Sequence, residues 1–432
     1  MELFLEEMCF EKDIETCLDV WEEDYTGWQK ELNNLKNSEE VNFVNLPFTE
    51  KYITQIKEWW EKNRGRFKYY VNLGIGGSSL GGKALVRSFT PLHRWESFGE
   101  DGGYFFMENV DPQDMKILLE KIPLEETLFN VISKSGTTVE TMSQLMIIWE
   151  ILEKKNLLTT NLIFTTDPVQ GELVSIANDY GIKRFEIPPQ VGGRFSVLSP
   201  VGLIPAIVAG IDADKLLEGA REVVEKTLSS EPSSNPSFIF AGINYNGWQM
   251  GRNIVVLMTY ASPLNFWGDW FVQLWAESIG KNNGRIGVGS TPLRCVGVTD
   301  QHSILQLFLD GPRDKIIYFL GVKKRDEDVS IPSIFREREK ISYLGGHTLS
   351  ELMKVEREAT IKALKEKNIP AGLIELESIS PKSIGRMIMF FELSIFYAGK
   401  MFNINPFNQP AVEEIKKYIY GSLGRKGYED YS

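Results

Sequence analysis

From residue 69 onward, short apolar runs alternate with longer stretches in which apolar residues recur at helical spacing. Tyr69–Leu73, Tyr104–Met107, Leu128–Ile132, Leu162–Thr165 and Phe185–Ile187 are too short for helices and read as buried strands. Parallel strands need a crossover helix between them, so the alternation predicts α/β, a doubly wound parallel sheet with helices on both faces. The pattern resumes with Ile254–Tyr260, Arg285–Val288, Lys315–Phe319 and Leu373–Leu376, with helical segments around 265–280, 350–367 and 382–400. A polar, proline-bearing stretch, Ser229-Ser230-Glu231-Pro232-Ser233-Ser234-Asn235-Pro236, separates the two series and marks the domain boundary. The expected organisation is therefore a first α/β domain over 66–230 and a second over 231–400. Residues 1–65 intersperse charges among Trp21, Trp28, Tyr52, Ile56, Trp59 and Trp60, which predicts an extension of amphipathic helices. Residues 401–432 are expected to form a helical tail. No period-locked repeat is visible.

Composition narrows the class. A chain of 432 residues with 43% apolar and 25% charged residues is that of a globular protein of two or three domains. Its formal net charge of -12 argues against nucleic acid and anionic membrane as partners, since both select basic surface. Cys9, Cys17 and Cys295 are too few and too odd for a disulfide framework, which points to a reducing cytoplasm, and no zinc spacing occurs. The first residues lack a basic segment followed by an apolar one, and no apolar run reaches the roughly 18 residues of a membrane span. A soluble cytoplasmic protein is expected.

Two glycine- and hydroxyl-rich turns carry the chemistry. In Val131-Ile132-Ser133-Lys134-Ser135-Gly136-Thr137-Thr138-Val139-Glu140-Thr141 a buried strand breaks into hydroxyls just before a helical pattern. Thr137 and Glu140 have the spacing of a capping box. Free N–H groups, the positive helix end and the hydroxyls of Ser133, Ser135, Thr137 and Thr138 would converge where a phosphate dianion is best held. Taken alone, the same segment describes an ordinary capped helix. A second turn, Leu73-Gly74-Ile75-Gly76-Gly77-Ser78-Ser79-Leu80-Gly81-Gly82-Lys83, again joins strand to helix. Ser79 stands where a dinucleotide fingerprint needs glycine, and Ala84 where an ATP-type loop needs Ser or Thr, so neither NAD nor Mg-ATP is favoured and no cofactor is expected. With an acidic chain around it, an anion site must draw its positive field from Lys134, Arg194, Lys416 and helix N-termini.

Together these two turns resemble the glucose-6-phosphate isomerase family, whose sugar-phosphate site is built from a strand followed by GIGGS and a strand followed by SK(S/T)xTT. The match continues in the family's order through Val191-Gly192-Gly193-Arg194-Phe195-Ser196, Gln273-Leu274-Trp275-Ala276-Glu277-Ser278-Ile279-Gly280-Lys281, Asp300-Gln301-His302-Ser303 and Asn405-Pro406-Phe407-Asn408-Gln409-Pro410 with Lys416. Gly136, where many eukaryotic relatives have an aromatic, and Pro410-Ala411 suggest a compact bacterial-type member.

The resemblance implies two α/β/α sugar-isomerase (SIS) domains with helical extensions, no cofactor, and a homodimer interconverting glucose 6-phosphate and fructose 6-phosphate through a cis-enediolate. Glu277 is then the base, His302 the ring-opening acid reaching into the neighbouring subunit, Arg194 the stabiliser of the enediolate and Lys416 a partner in ring opening. Gly77, Ser78, Ser133, Lys134, Ser135, Thr137, Thr138, Gly193, Gln273 and Gln409 are the expected substrate contacts. On spacing alone, Glu277 and Lys281 read as a solvated i, i+4 pair, and His302, Arg194 and Lys416 as ordinary structural or surface residues. The alternatives are an isomerase acting on both glucose and mannose 6-phosphates and a non-catalytic sugar-phosphate sensor, which has no need of Glu277, His302 and Lys416 together.

Overall fold

The structure is a computed structural model that describes residues 2–9 and 21–431. Cys17 lies outside the described residues, and Cys295 is buried and free. Two five-stranded sheets organise the chain. The first is built from β2 (Tyr69–Leu73), β3 (Gly103–Met107), β4 (Thr127–Ile132), β5 (Leu162–Thr166) and β6 (Lys183–Glu186), all parallel, in the order β3-β2-β4-β5-β6. The second contains β7 (Ile254–Thr259), β10 (Thr291–Val296), β11 (Lys315–Val322) and β12 (Ala371–Leu376), parallel, with β1 (Glu2–Cys9) added antiparallel along β12. Counting only the parallel strands in chain order, the first sheet runs 2-1-3-4-5 and the second 2-1-3-4, so each has a switch point where the chain reverses its direction of winding.

Alternation along the strands sorts side chains into separate cores. Val71, Phe129 and Phe164 point into a core on the outer face of the first sheet, and Val256, Ile317 and Phe319 into one on the outer face of the second. The inner faces share a third core, in which Tyr70 and Leu128 of the first sheet and Leu257 and Tyr318 of the second meet Trp267, Trp270 and Phe390 from helices between them. The helix Pro381–Met401 lies in this shared core and is buried on nearly every side, which is why its sequence is apolar all round. The helix Ala213–Ser229 packs along it. Gly385 permits that approach, since a Cβ there would fall 1.9 Å from the carbonyl oxygen of Leu216. The stretch Ser229–Pro236 thus joins two helices, Ala213–Ser229 and Pro236–Gln249, that both pack on Pro381–Met401.

Three expectations are corrected. The region 1–65 is not wholly helical: Glu22–Lys36 and Glu50–Asn63 are helices, but Glu2–Cys9 is a strand, because β12 offers an unpaired backbone edge that eight residues of mixed pattern can satisfy. The segment around 285–288 does not join the main sheet. Its Gly287–Val288 (β9) forms a two-residue hairpin with Lys281–Asn282 (β8), and the main-sheet strand is Thr291–Val296, which admits Pro292 because it is the edge strand. In the tail, helix is confined to Val412–Ser422 and a short turn Glu429–Tyr431, and it begins two residues beyond Pro410.

At the second switch point, between β7 and β11, the Arg325 guanidinium donates to the carbonyl oxygen of Tyr260 at 2.7 Å and rests against the Met353 sulfur. Among the described residues no helix is long and apolar enough to cross a membrane.

Candidate active site

The first switch point lies between β2 and β4, and the two turns singled out in the sequence leave those strands side by side at their carboxyl ends. A cavity of about 680 Å³ opens above them, a volume suited to a sugar phosphate. Its wall contains Gly77, Ser78, Lys134, Ser135, Thr138, Gly193, Arg194, Gln273, Glu277, Gln409 and Lys416.

The turn after β4 is held from below. Ser133 is buried; its hydroxyl accepts the Gly136 N–H at 3.1 Å and shares a hydrogen bond of 2.9 Å with the Thr138 hydroxyl. Gly136 adopts φ +65, and a Cβ there would press on the amides of Glu172 and Leu173, so an aromatic does not fit this turn. The helix starts at Val139 with Thr138 as its N-cap and no side-chain cap. The capping box expected from Thr137 and Glu140 is therefore not formed, because the Thr138 hydroxyl is engaged with Ser133 and the chain enters the helix one residue later. First-turn N–H groups remain for a ligand. Ser135 accepts from the Thr137 amide and hydroxyl, each at 3.3 Å, which leaves its own proton to donate. Of the four hydroxyls, Ser135 and Thr138 border the cavity; Ser133 braces the turn beneath it and Thr137 lies outside the wall. Lys134 also borders it, but its ammonium donates to the carbonyls of Pro189 at 2.5 Å and Val191 at 3.0 Å. Burial pushes its pKa down, with Asp167 opposing.

The turn after β2 meets the turn carrying Arg194. A Cβ on Gly77 would fall 2.2 Å from the carbonyl carbon of Gly193, so the two backbones touch and only glycine fits. Lys83, where an ATP loop would put its phosphate lysine, instead binds the Glu108 carboxylate at 2.5 Å.

Arg194 is the centre of the arrangement. Its side chain is 1% exposed. Its Nε donates to the Ser278 hydroxyl at 2.7 Å, and Nη1 donates to Gln409 Oε1 at 2.9 Å and Glu277 Oε2 at 3.2 Å. Nη2 reaches the carbonyls of Pro406 and Asn408. One planar guanidinium thereby fastens three segments far apart in sequence, a task for which arginine's fixed fork is suited. Burial lowers its pKa, and Glu277 works against that. Glu277 rides on the helix Asn265–Ile279, where Gln273 one turn earlier donates to its Oε1 at 3.1 Å. The carboxylate is more than a third exposed, into the cavity, while its arginine partner is sealed behind it. The Glu277–Lys281 pairing that spacing alone would suggest is not formed: Lys281 donates to the backbone carbonyls of Glu277 and Ser278.

Lys416 projects from the exposed helix Val412–Ser422 and pairs with Glu413 at 2.6 Å at the cavity rim. His302 does not join the others. It ends the short turn Thr299–His302 after β10, exposed and outside the cavity wall of its own chain. The sequence reading missed Asp167, Gln170 and Gly171, which complete the wall beyond β5; Asp167 accepts the amides of Val169 and Gln170 in an Asx turn. The Asp-Pro pair after a strand was the available signal.

Comparison with known proteins gives a consistent result. Residues 38–423 match the family described as phosphoglucose isomerase. A glucose-6-phosphate isomerase of Carboxydothermus hydrogenoformans is 43% identical over 427 residues, covering 96% of this chain and 92% of that protein. One of Methanocaldococcus jannaschii is 36% identical, covering 83% of this chain and 85% of its own length. A hypothetical protein of Thermus thermophilus superposes with a TM-score of 0.86 at 33% identity over 95% of this chain and 97% of its own. A glucose-6-phosphate isomerase of Chlamydia trachomatis, at 22% identity and a TM-score of 0.79, covers 95% of this chain and 86% of its own and shares the fold.

Proposed function

The chain belongs to the phosphoglucose isomerase family and interconverts glucose 6-phosphate and fructose 6-phosphate, and from that premise we propose how its residues divide the work. The observation that supports the division is a half-open carboxylate, Glu277, backed by a buried guanidinium at 3.2 Å in the same cavity as an uncapped helix start and the hydroxyls of Ser78, Ser135 and Thr138. The phosphate sits on Ser78, Ser135, Thr138 and the amides opening the helix Val139–Lys154, where donors and helix dipole act together. Glu277 removes the proton from carbon 2 of the open-chain aldose and returns it to carbon 1. The enediolate between these steps carries charge that Arg194, already fixed by its bonds to the protein, offsets through its positive field without reorganising. Lys416 at the rim assists ring opening and balances the substrate's charge.

Ring opening also needs an acid at the ring oxygen, and a histidine side chain can supply the proton. His302 takes this part in the site of a second copy. Its exposure outside its own cavity supports that reading. Each site of a homodimer is then composite. Mixing inactive Glu277→Gln chains with inactive His302→Ala chains under subunit exchange should regain activity, since one site of the heterodimer has both residues intact. Exchange without recovery would reject the shared site. In Glu277→Gln alone, solvent hydrogen should no longer enter carbon 2; near-normal turnover would remove Glu277 from the role of base.

A further inference from the structure

Lys281 follows the helix Asn265–Ile279 and is half-buried, yet it touches neither the cavity nor a carboxylate. Its ammonium closes the helix from its end, donating to the carbonyl oxygen of Glu277 and, at 3.2 Å, to that of Ser278. These are the two residues that Arg194 holds by their side chains. The last helical turn is therefore gripped on both sides, by Arg194 through the side chains and by Lys281 through the backbone. The electrostatic setting makes the second grip consequential. Glu277 stands in the last turn, where unsatisfied carbonyls form the negative end of the helix dipole and disfavour a second negative charge. A cation bound to those carbonyls offsets that end.

We propose that Lys281 is a positioning residue for the isomerisation: it fixes the turn that aims the Glu277 carboxylate and supplies positive charge behind it. This rests on Glu277 being the base. The charged groups acting on Lys281 are Arg194, from the turn Gly193–Phe195, and Glu277, from the helix itself. Burial and Arg194 push the lysine down to about 8, with Glu277 opposing, so the grip weakens on the alkaline side of neutrality.

The test compares Lys281→Met and Lys281→Arg with the parent enzyme. In Lys281→Met, kcat should fall roughly ten-fold or more through misplacement of the base, with KM nearly unchanged. The acid limb of the kcat/KM profile should move to higher pH, because a cation favouring the carboxylate has gone. Lys281→Arg should restore most of kcat. A methionine variant with normal kcat and an unmoved acid limb, differing only in melting temperature, would reduce Lys281 to a helix-end stabiliser and overturn the proposal. Should the methionine variant not fold, the arginine variant decides. A guanidinium stays charged beyond pH 8, so its kcat should persist where the parent declines, and coincident alkaline limbs would overturn the proposal. Glu277→Gln in the same assay separates the two ideas: if it stays active, the assignment of the base has failed, whatever Lys281 does.

Discussion

Gly77→Ala puts one methyl group between the two turns that frame the cavity. The new Cβ would lie 2.2 Å from the carbonyl carbon of Gly193, 2.4 Å from its oxygen and 2.7 Å from its Cα, where ordinary contact begins near 3.4 Å. All three atoms are backbone, so no side chain can swing aside and the turns must part by roughly 1 Å. One turn carries Ser78 and the other Arg194, so the side chains proposed to hold the phosphate and to stabilise the enediolate move apart. Misplacement on the order of 1 Å costs about a hundred-fold in rate. At about 1.36 kcal/mol per ten-fold, that is roughly 2.7 kcal/mol of barrier. The readout is kcat/KM for fructose 6-phosphate, followed by coupling the product to a glucose-6-phosphate-specific, NADP-linked dehydrogenase. Gly65→Ala is the control, since nothing lies within 4 Å of a Cβ there. A Gly77→Ala enzyme within a few-fold of the parent, with an unchanged melting temperature, would show that the contact yields without disturbing the site and would refute the reasoning.

Ser135→Ala should weaken binding of glucose 6-phosphate about ten-fold or more, on the scale of roughly 1.5–3 kcal/mol for a hydrogen bond to a charged group; calorimetry measures it, and parental affinity would place the cradle elsewhere. Arg194→Lys should lose both kcat and stability, because an ammonium cannot serve Ser278, Gln409, Glu277 and two carbonyls at once; turnover and urea midpoints test this together. Glu392 is fully buried with Oε1 unpartnered, and burial holds its carboxyl protonated well above the usual range. Its protonated form supports the fold fully below the unfolded value near 4.5, and that support drains away as pH rises toward the native value. Glu392→Gln stays neutral throughout, so its urea midpoint should exceed the parent's by a margin that grows from pH 5 to 8; a constant margin would contradict the buried proton.

The inner strands of the first sheet were readable because they are buried on both faces and therefore mostly apolar, as Leu128 to Ile132 shows, where only Asn130 is polar. The edge strands of the second sheet were not. Thr291–Val296 carries Pro292 and Arg294 and resembles a loop, and Glu2–Cys9 carries three acids; each is a strand because a neighbour supplies hydrogen bonds, which no local pattern records. The site divides in the same way. Motif order identified Arg194, Gln273, Glu277 and Gln409, and these four side chains meet in hydrogen bonds. Which of four neighbouring hydroxyls borders the cavity depends on a single left-handed residue, Gly136, and on the Ser133–Thr138 bond, so Ser133 and Ser135 look alike in sequence but differ in use. Lys281 was legible only as half of an ion pair, because helical spacing cannot tell a carboxylate from the carbonyl of the same residue.

The repeated strand order has a consequence for redesign. A parallel sheet wound in both directions leaves a crevice at its reversal point, and this molecule has two sheets wound alike. At one reversal the crevice is open and forms the proposed sugar-phosphate site. At the other, Arg325 reaches across and binds the end of β7 through the Tyr260 carbonyl, and its side chain borders a separate cavity of about 510 Å³. The second crevice is thus narrowed by a side chain rather than by the backbone. Shortening that one residue is the most direct way to widen this second, independent pocket while leaving the first untouched.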